Sequence, residues 1–315
     1  MKRFVSLLLC FLLVNALCAC SKQDAPKTDS PTQESTVTST PLSDGKTLKL
    51  LAITSSFGLN TTQFLYDISV AEGATDVVVA RLYVGGCTLQ QHVDYLTNSK
   101  NVYTYTKNNS GIWQTTEAVN MLYGIQDEDW DIIFIQQSAA GSAQVDTYGN
   151  YVDQIIAYVN EHKTNPNAKF IWNMTWAYQK DSTQDVFLSI FGGSQQAMYL
   201  SLVNAVQQKI VPRTDIAAII PSGTAIQNAR TSYFGDHLTK DTYHLNDLGQ
   251  VISGYTLYAT LIGKPLAQIN LSTVSTDQFP KPLDLSAKDK EVIMEAVNAA
   301  MQRPFEVTSS TFPTP

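Results

Sequence analysis

"TLKLLAITSSFGLN", residues 47–60, decides how the rest of the chain is read. Its first eight residues form an almost unbroken apolar run with a single charge, Lys49, the mark of a strand buried on both faces. A helical pattern follows over roughly 60–72, and Ser55-Ser56 lies in the turn between the two. Strand, short turn and helix together are the opening of a β-α-β unit.

The same alternation continues outward. "DVVVARLYV" (76–84), "DIIFIQQ" (131–137), "AKFIWNMTW" (168–176) and "DIAAIIPSG" (215–223) read as four more buried strands. "LQQHVDYLTNS", "YGNYVDQIIAYVNEHK", "QAMYLSLVNAVQQKIV" and "LNDLGQVISGYTLYATLIG" read as helices, as does "SAKDKEVIMEAVNAAMQ". "NVYTYTKNNSGIWQTT" predicts a hairpin with Asn-Ser-Gly at its turn. The expected architecture is an α/β fold of three layers, α/β/α, around a central, mostly parallel five-stranded sheet. Right-handed crossovers place the strand C-terminal ends on one edge, where open sheets of this kind bind ligands.

Outside residues 47–303 the composition changes. Residues 1–19 have the basic start and apolar run of a signal peptide, ending in "LCAC", so that Cys20 becomes a candidate lipidation site. Residues 20–46 are rich in Ser, Thr, Pro and Asp and read as a flexible tether; residues 304–315 read as a disordered tail. Such a chain is expected to be extracytoplasmic, held to a bacterial membrane by its lipid anchor alone. With Cys10 and Cys18 removed and Cys20 acylated, Cys87 remains alone and no internal disulfide is expected. A formal net charge of −7 without a basic patch argues against a nucleic-acid partner. Charged residues are only 16% of the chain while aromatics are 10%, which suits neutral ligands such as sugars.

If the strand ends share an edge, the residues just beyond them should meet. Ser55 and Ser56 follow the first strand, and Gly85-Gly86 the second. Gln136 and Gln137 end the third; a Gln amide can donate to an oxyanion without adding charge. Trp176 and Tyr178 follow the fourth and suit either a sugar-stacking wall or the core. "DTYHLND" (241–247) adds an imidazole, His244, with a carboxylate, Asp241, three residues upstream. A serine nucleophile needs such a base, held in one tautomer by a carboxylate. Asp236, His237, Asp241 and His244 could instead be metal ligands, but nothing in the sequence supplies their supporting shell.

"LLAITSSF", "LYVGGCTLQQH", "IIFIQQS", "WNMTWAYQ", "IIPSGTAIQNARTS" and "GDHLTKDTYHLNDLGQ" together resemble the SGNH (GDSL-type) hydrolase superfamily, and more narrowly a subfamily of secreted SGNH-like proteins of DUF4886 type. The resemblance implies an SGNH, flavodoxin-like sheet. It implies Ser56, Asp241 and His244 as the triad, and an oxyanion hole from Ser56, Gly86 and either Gln136 or Gln137. It also implies an ester substrate, acyl or acetyl groups on carbohydrate or a small ester, and no metal or organic cofactor. Trp176, Tyr178 and Asn228 are the candidate substrate contacts. Two departures stand out: Thr54 occupies the place of the family's first glycine, and a Gln replaces its usual oxyanion asparagine. A lapsed site that binds glycans without cutting them is the alternative.

Overall fold

The computed structural model describes residues 41–275 and 282–313. The expected signal peptide, Cys20 and most of the expected tether lie outside the described residues.

The first strand, β1 (Thr47–Thr54), is buried along its length and sits at the centre of the sheet. The chain then runs through α1 (Ser56–Thr62) and α2 (Leu65–Ala71) into β2 (Asp76–Tyr83). α3 (Leu89–Thr97) leads to the hairpin β3 (Tyr103–Asn108) and β4 (Trp113–Val119), and α4 (Met121–Gln126) to β5 (Ile132–Ile135). A single 3-10 turn and α5 (Tyr151–His162) precede β6 (Lys169–Asn173); α6 (Asp185–Phe191) and α7 (Gln195–Lys209) precede β7 (Ile216–Ile220). Three helices follow, α8 (Ser222–Arg230), α9 (Asp247–Ile262) and α10 (Ala287–Gln302), with the short pair β8 (Thr273–Val274) and β9 (Leu283–Asp284) between the last two.

The main sheet has seven strands in the order β4-β3-β2-β1-β5-β6-β7, rather than five. The five expected strands are all present and all parallel. The two extra strands are the hairpin, which pairs antiparallel onto the free edge of β2 through Val79–Tyr83 opposite Thr104–Asn108. A sequence pattern identifies a hairpin but not the edge it joins, because edge pairing is made by backbone groups that every residue carries.

The sheet order reverses at β1: the chain goes to one side for β2 and to the other for β5. Ser55 and Ser56 therefore stand at the topological switch point, where a crevice opens between diverging crossovers. α9 is buried along nearly its whole length and packs against α1, α2, α8 and α10. A helix so enclosed fixes the position of whatever immediately precedes it, which here is the His244 loop.

Both ends of the domain extend further than composition implied. Leu42 and Ser43 donate backbone hydrogen bonds to the Leu261 carbonyl, so the last part of the expected tether is seated on α9. The tail is ordered as well: Thr308 N–H donates to Asn228 Oδ1 at 2.7 Å, Ser310 N–H to Thr231 Oγ1 at 2.7 Å, and Tyr233 N–H to the Phe312 carbonyl. Polar composition misled here because the tail is held by hydrogen bonds along α8 and α10, with Phe305 and Phe312 packing against the core.

Candidate active site

The turn after β1 is tighter than its sequence suggests. α1 starts at Ser56 itself, not near Asn60, with Ser55 extended in the N-cap position. Ser56 thus occupies the first helical position, where backbone N–H groups lack intrahelical acceptors. Thr54 is buried, with its hydroxyl donating to the Ser55 carbonyl at 3.0 Å. Gly58 lies against it: a Cβ there would fall inside the Thr54 side chain and 3.1 Å from Phe134.

His244 reaches this turn from a loop closed at its base. Thr239 and Leu245 form an isolated antiparallel bridge, and Lys240 N–H donates to the His244 carbonyl at 2.9 Å. Asn246 caps α9 by accepting from Gly249 N–H. Inside the loop, Thr242 has a φ of +73°, a strained conformation for a β-branched residue. It is held there by neighbours: Gln179 N–H donates to its carbonyl, and its hydroxyl donates to Ser182 Oγ.

That turn lets one carboxylate grip the histidine twice. Asp241 Oδ1 accepts from His244 N–H at 2.8 Å, and Oδ2 lies 2.7 Å from His244 Nδ1. An ionised carboxylate can only accept, so Nδ1 carries the proton and Nε2 is left as the acceptor. Nε2 lies 2.8 Å from Ser56 Oγ. Partial burial pushes the Asp241 carboxyl up, but the hydrogen bonds from His244 outweigh it and hold the acid below its ordinary range. Asn60, one turn along α1, accepts the Leu245 N–H at 3.0 Å and ties the serine helix to the histidine loop. A serine, an imidazole and a carboxylate in this order form a chain that can remove a proton from Ser56 and hold it.

The residues match the DUF4886 family, a domain of unknown function, over 49–298. The chain belongs to the DUF4886 family. A crystal structure of a DUF4886 family protein from Bacteroides uniformis superposes with a TM-score of 0.74 at 31% identity, covering 84% of this chain and 99% of that one. A structure from Slackia heliotrinireducens, described as a candidate SGNH hydrolase, gives 0.45 at 18% identity over 69% of this chain and all of its own. A candidate GDSL-like lipase from Parabacteroides merdae gives 0.44 at 10% identity over 71% of this chain and all of its own. None of the curated proteins matches.

In this DUF4886 domain the remaining expected site residues fall into three groups. Gly86 lies exposed in the turn after β2, with a φ of +64°. Gln136 points toward the serine turn: its amide donates to Ser55 Oγ at 3.3 Å and its Oε1 accepts from Asn173 at 3.0 Å. It belongs to a buried polar network that continues through Ser222, Ser253 and Thr61. Gln137 points the other way, as neighbouring residues at a strand end do. Its Oε1 accepts the N–H groups of Leu89 and Ser138, and its amide donates to Thr147. It caps α3 and braces a loop, so it is not an oxyanion donor.

The expected substrate contacts are corrected in the same way. Trp176 is fully enclosed, stacked on Phe57 at 4.2 Å, and its indole N–H donates to the Tyr243 carbonyl. Tyr178 is buried beside Phe57 and Tyr243. These rings support the histidine loop from beneath instead of facing a ligand. Asn228 is buried and holds the tail, and Arg230 pairs with Asp236 at 2.7 Å and donates to the Ala177 carbonyl. With Asp236 taken by Arg230 and Asp241 by His244, the four-residue metal set does not converge. No group among the described residues could hold a metal ion.

The open cleft at Ser56 has a volume of about 560 Å³ and is walled by Asn60, Gln63, Tyr83, Trp113 and His244. Ile112, 71% exposed at the tip of the hairpin, stands at its lip, and Lys240 also faces it. The sequence reading missed this wall because Tyr83 and Trp113 reach the cleft only once the hairpin has joined β2. The available signal was the hairpin itself, a turn with an apolar tip followed by a tryptophan.

Proposed function

We propose that this protein is a serine ester hydrolase that removes acyl groups, acetyl in the simplest case, from carbohydrate. The observation that carries the reading is the hydrogen-bonded chain Ser56 Oγ, His244 Nε2, His244 Nδ1, Asp241 Oδ2, with links of 2.8 and 2.7 Å. His244 takes the proton of Ser56 as the hydroxyl oxygen attacks the acyl carbon. The negative oxygen that forms is stabilised by the N–H of Ser56, at the start of α1, and by the N–H of Gly86 in the turn beyond Tyr83. Gln136 sets this turn from behind through Ser55. His244 then donates its proton to the departing alcohol, and a water, activated by the same imidazole, frees the acyl group from Ser56. These steps call for no metal or organic cofactor.

The sugar preference is supported by a wall that combines the aromatic residues Tyr83 and Trp113 with the amides Asn60 and Gln63. Attachment at the cell surface through Cys20 is part of the same proposal, supported by the lipobox-like sequence "LCAC". Two measurements test it. A fluorophosphonate probe should label Ser56, with the modified peptide mapped by mass spectrometry, and 4-nitrophenyl acetate should be hydrolysed. A probe that labels nothing in protein of intact fold, or labels another serine, sinks the assignment.

A further inference from the structure

One wall of the cleft is built from hydrogen-bond donors with a buried cation behind them. Arg81 on β2 is 4% exposed, and among the described residues no carboxylate pairs with it. Its Nε donates to Thr62 Oγ1 at 2.8 Å and a terminal nitrogen donates to Gln63 Oε1 at 3.3 Å. The Trp113 ring covers the guanidinium, 3.4 Å from its carbon to the ring centroid. Burial lowers this group to about 9, so it stays charged at neutral pH.

The consequence for the cleft follows from donor–acceptor chemistry. A guanidinium only donates, so Gln63 must turn its oxygen to Arg81, which leaves its NH₂ as the group it can offer to the cleft it lines. Leu245 N–H does the same to Asn60, occupying Oδ1 and leaving Nδ2. Neither amide nitrogen has an acceptor among the described residues, and nor has the Trp113 indole N–H. Lys240 also faces the cleft and is engaged in a contact of its own, while Arg81, behind the wall, has no carboxylate partner among the described residues. The described lining contains no Asp or Glu. A buried charge without a partner is costly to the fold, and its field acts strongly through a low-dielectric wall.

We propose that the Asn60, Gln63 and Trp113 donors, backed by Arg81, recognise a carboxylate on the substrate, so that the preferred substrates are acylated acidic sugars of the uronate class. This rests on the esterase reading above. The competing role for Arg81 is purely structural, tying α1 to the hairpin.

The test compares O-acetylated glucuronate with O-acetylated glucose, using the full chain. The expected ratio of kcat/KM is roughly tenfold or more in favour of the acidic sugar, shrinking as salt is raised. Arg81→Gln should bring that ratio close to one, and Arg81→Lys should keep part of it. A wild-type ratio at or below one, or a ratio that Arg81→Gln leaves intact, overturns the proposal. If Arg81→Gln fails to fold, the salt series on the wild type and the Arg81→Lys ratio decide: a preference insensitive to salt and to Arg81→Lys counts against it. Calorimetry on Ser56→Ala separates the two readings. Glucuronate binding there that exceeds glucose binding and falls with salt upholds the carboxylate site even if no ester is turned over; equal or absent binding of both sugars removes it even if Ser56 proves to be the nucleophile.

Discussion

Two histidines show how differently one residue type can be placed. His244 stands in the cleft, its ring gripped by Asp241 and facing Ser56. His92, on α3, is almost wholly enclosed, with Nδ1 2.9 Å from the Tyr103 hydroxyl and Nε2 without any partner. Cys87 is buried close by, and burial pushes its thiol up to about 12. One region pairs each polar atom with a group that can exchange a proton; the other seals an imidazole and a thiol away from water. The difference lies in what surrounds the ring. A carboxylate three residues upstream and a strained turn aim the His244 ring at Ser56, whereas an apolar helix face makes a packing residue of His92.

The comparison breaks most visibly at the serine. Ser56→Ala and His244→Ala should each lower kcat for 4-nitrophenyl acetate by at least about 10³-fold, and up to about 10⁶-fold. Their effects should not add, because the two groups act as one unit. His92→Gln, on the sealed side, should change kcat far less than either. Steady-state rates on the three variants, with folding checked by circular dichroism, test the division; equal losses in all three would erase it.

Asp241→Asn comes next. The loop would keep its shape through the backbone contacts of Thr242 and His244, but an amide can present its NH₂ to Nδ1 and favour the wrong tautomer. A loss of about 10⁴ in kcat is expected, with KM little changed. Because Asp241 is held below the ordinary carboxylate range, it stays ionised through mildly acidic pH, and no acid limb in the wild-type rate should be traceable to it above about pH 4. A pH–rate profile on wild type and Asp241→Asn checks both points.

The third effect concerns Gly58 and its contact with Thr54, which stands where the resemblance sets a glycine. Thr54 fills the strand end, and only a residue without a Cβ fits opposite it on α1. Gly58→Ala should destabilise by about 1–3 kcal/mol and displace Ser56. Thr54→Gly in the same molecule should restore most of the stability and part of the rate, since either partner of the contact can be the small one. Denaturant unfolding of the two single variants and the double variant measures that coupling. Additive losses would mean that the two positions do not share the space.

Much of this was legible in the chain. The five buried strands and the order of their connections followed from apolar runs, because a parallel sheet covered on both faces leaves little choice of residue. The meeting of Ser56, His244 and Asp241 was legible because each follows a strand or precedes a helix whose end the pattern marks. Side-chain direction at the strand ends was not. Gln136 and Gln137 are identical in type, and only the pleat decides that one meets Ser55 and the other caps α3. Trp176 and Tyr178 suited a ligand wall in composition, yet they lie under Phe57 and Tyr243, while Trp113 reaches the cleft from a hairpin whose docking edge no pattern specifies. Arg81 sits in a strand that reads as apolar, and its meaning emerges only with Gln63 and Trp113 beside it.

A last effect, small near neutral pH, sharpens the contrast between the histidines most directly, because it is read on the fold rather than the reaction. Burial lowers the His92 imidazole to about 3, so the folded protein keeps it neutral where an unfolded chain would protonate it near 6.5. Between those values the unfolded state binds the extra proton, and stability therefore falls as pH falls. The slope approaches about 1.4 kcal/mol per pH unit for one proton once pH is well below 6.5, and is already about 1 kcal/mol per pH unit at pH 6. His92→Gln, which retains a polar group for the Tyr103 hydroxyl, removes the titrating group and should flatten that part of the stability curve while lowering its plateau. Urea unfolding from pH 7.5 down to 4.5 on both proteins measures the difference. A variant curve parallel to the wild type would mean that His92 opens to water and takes its proton in the folded state, and the sealed region would then be no more sealed than the cleft.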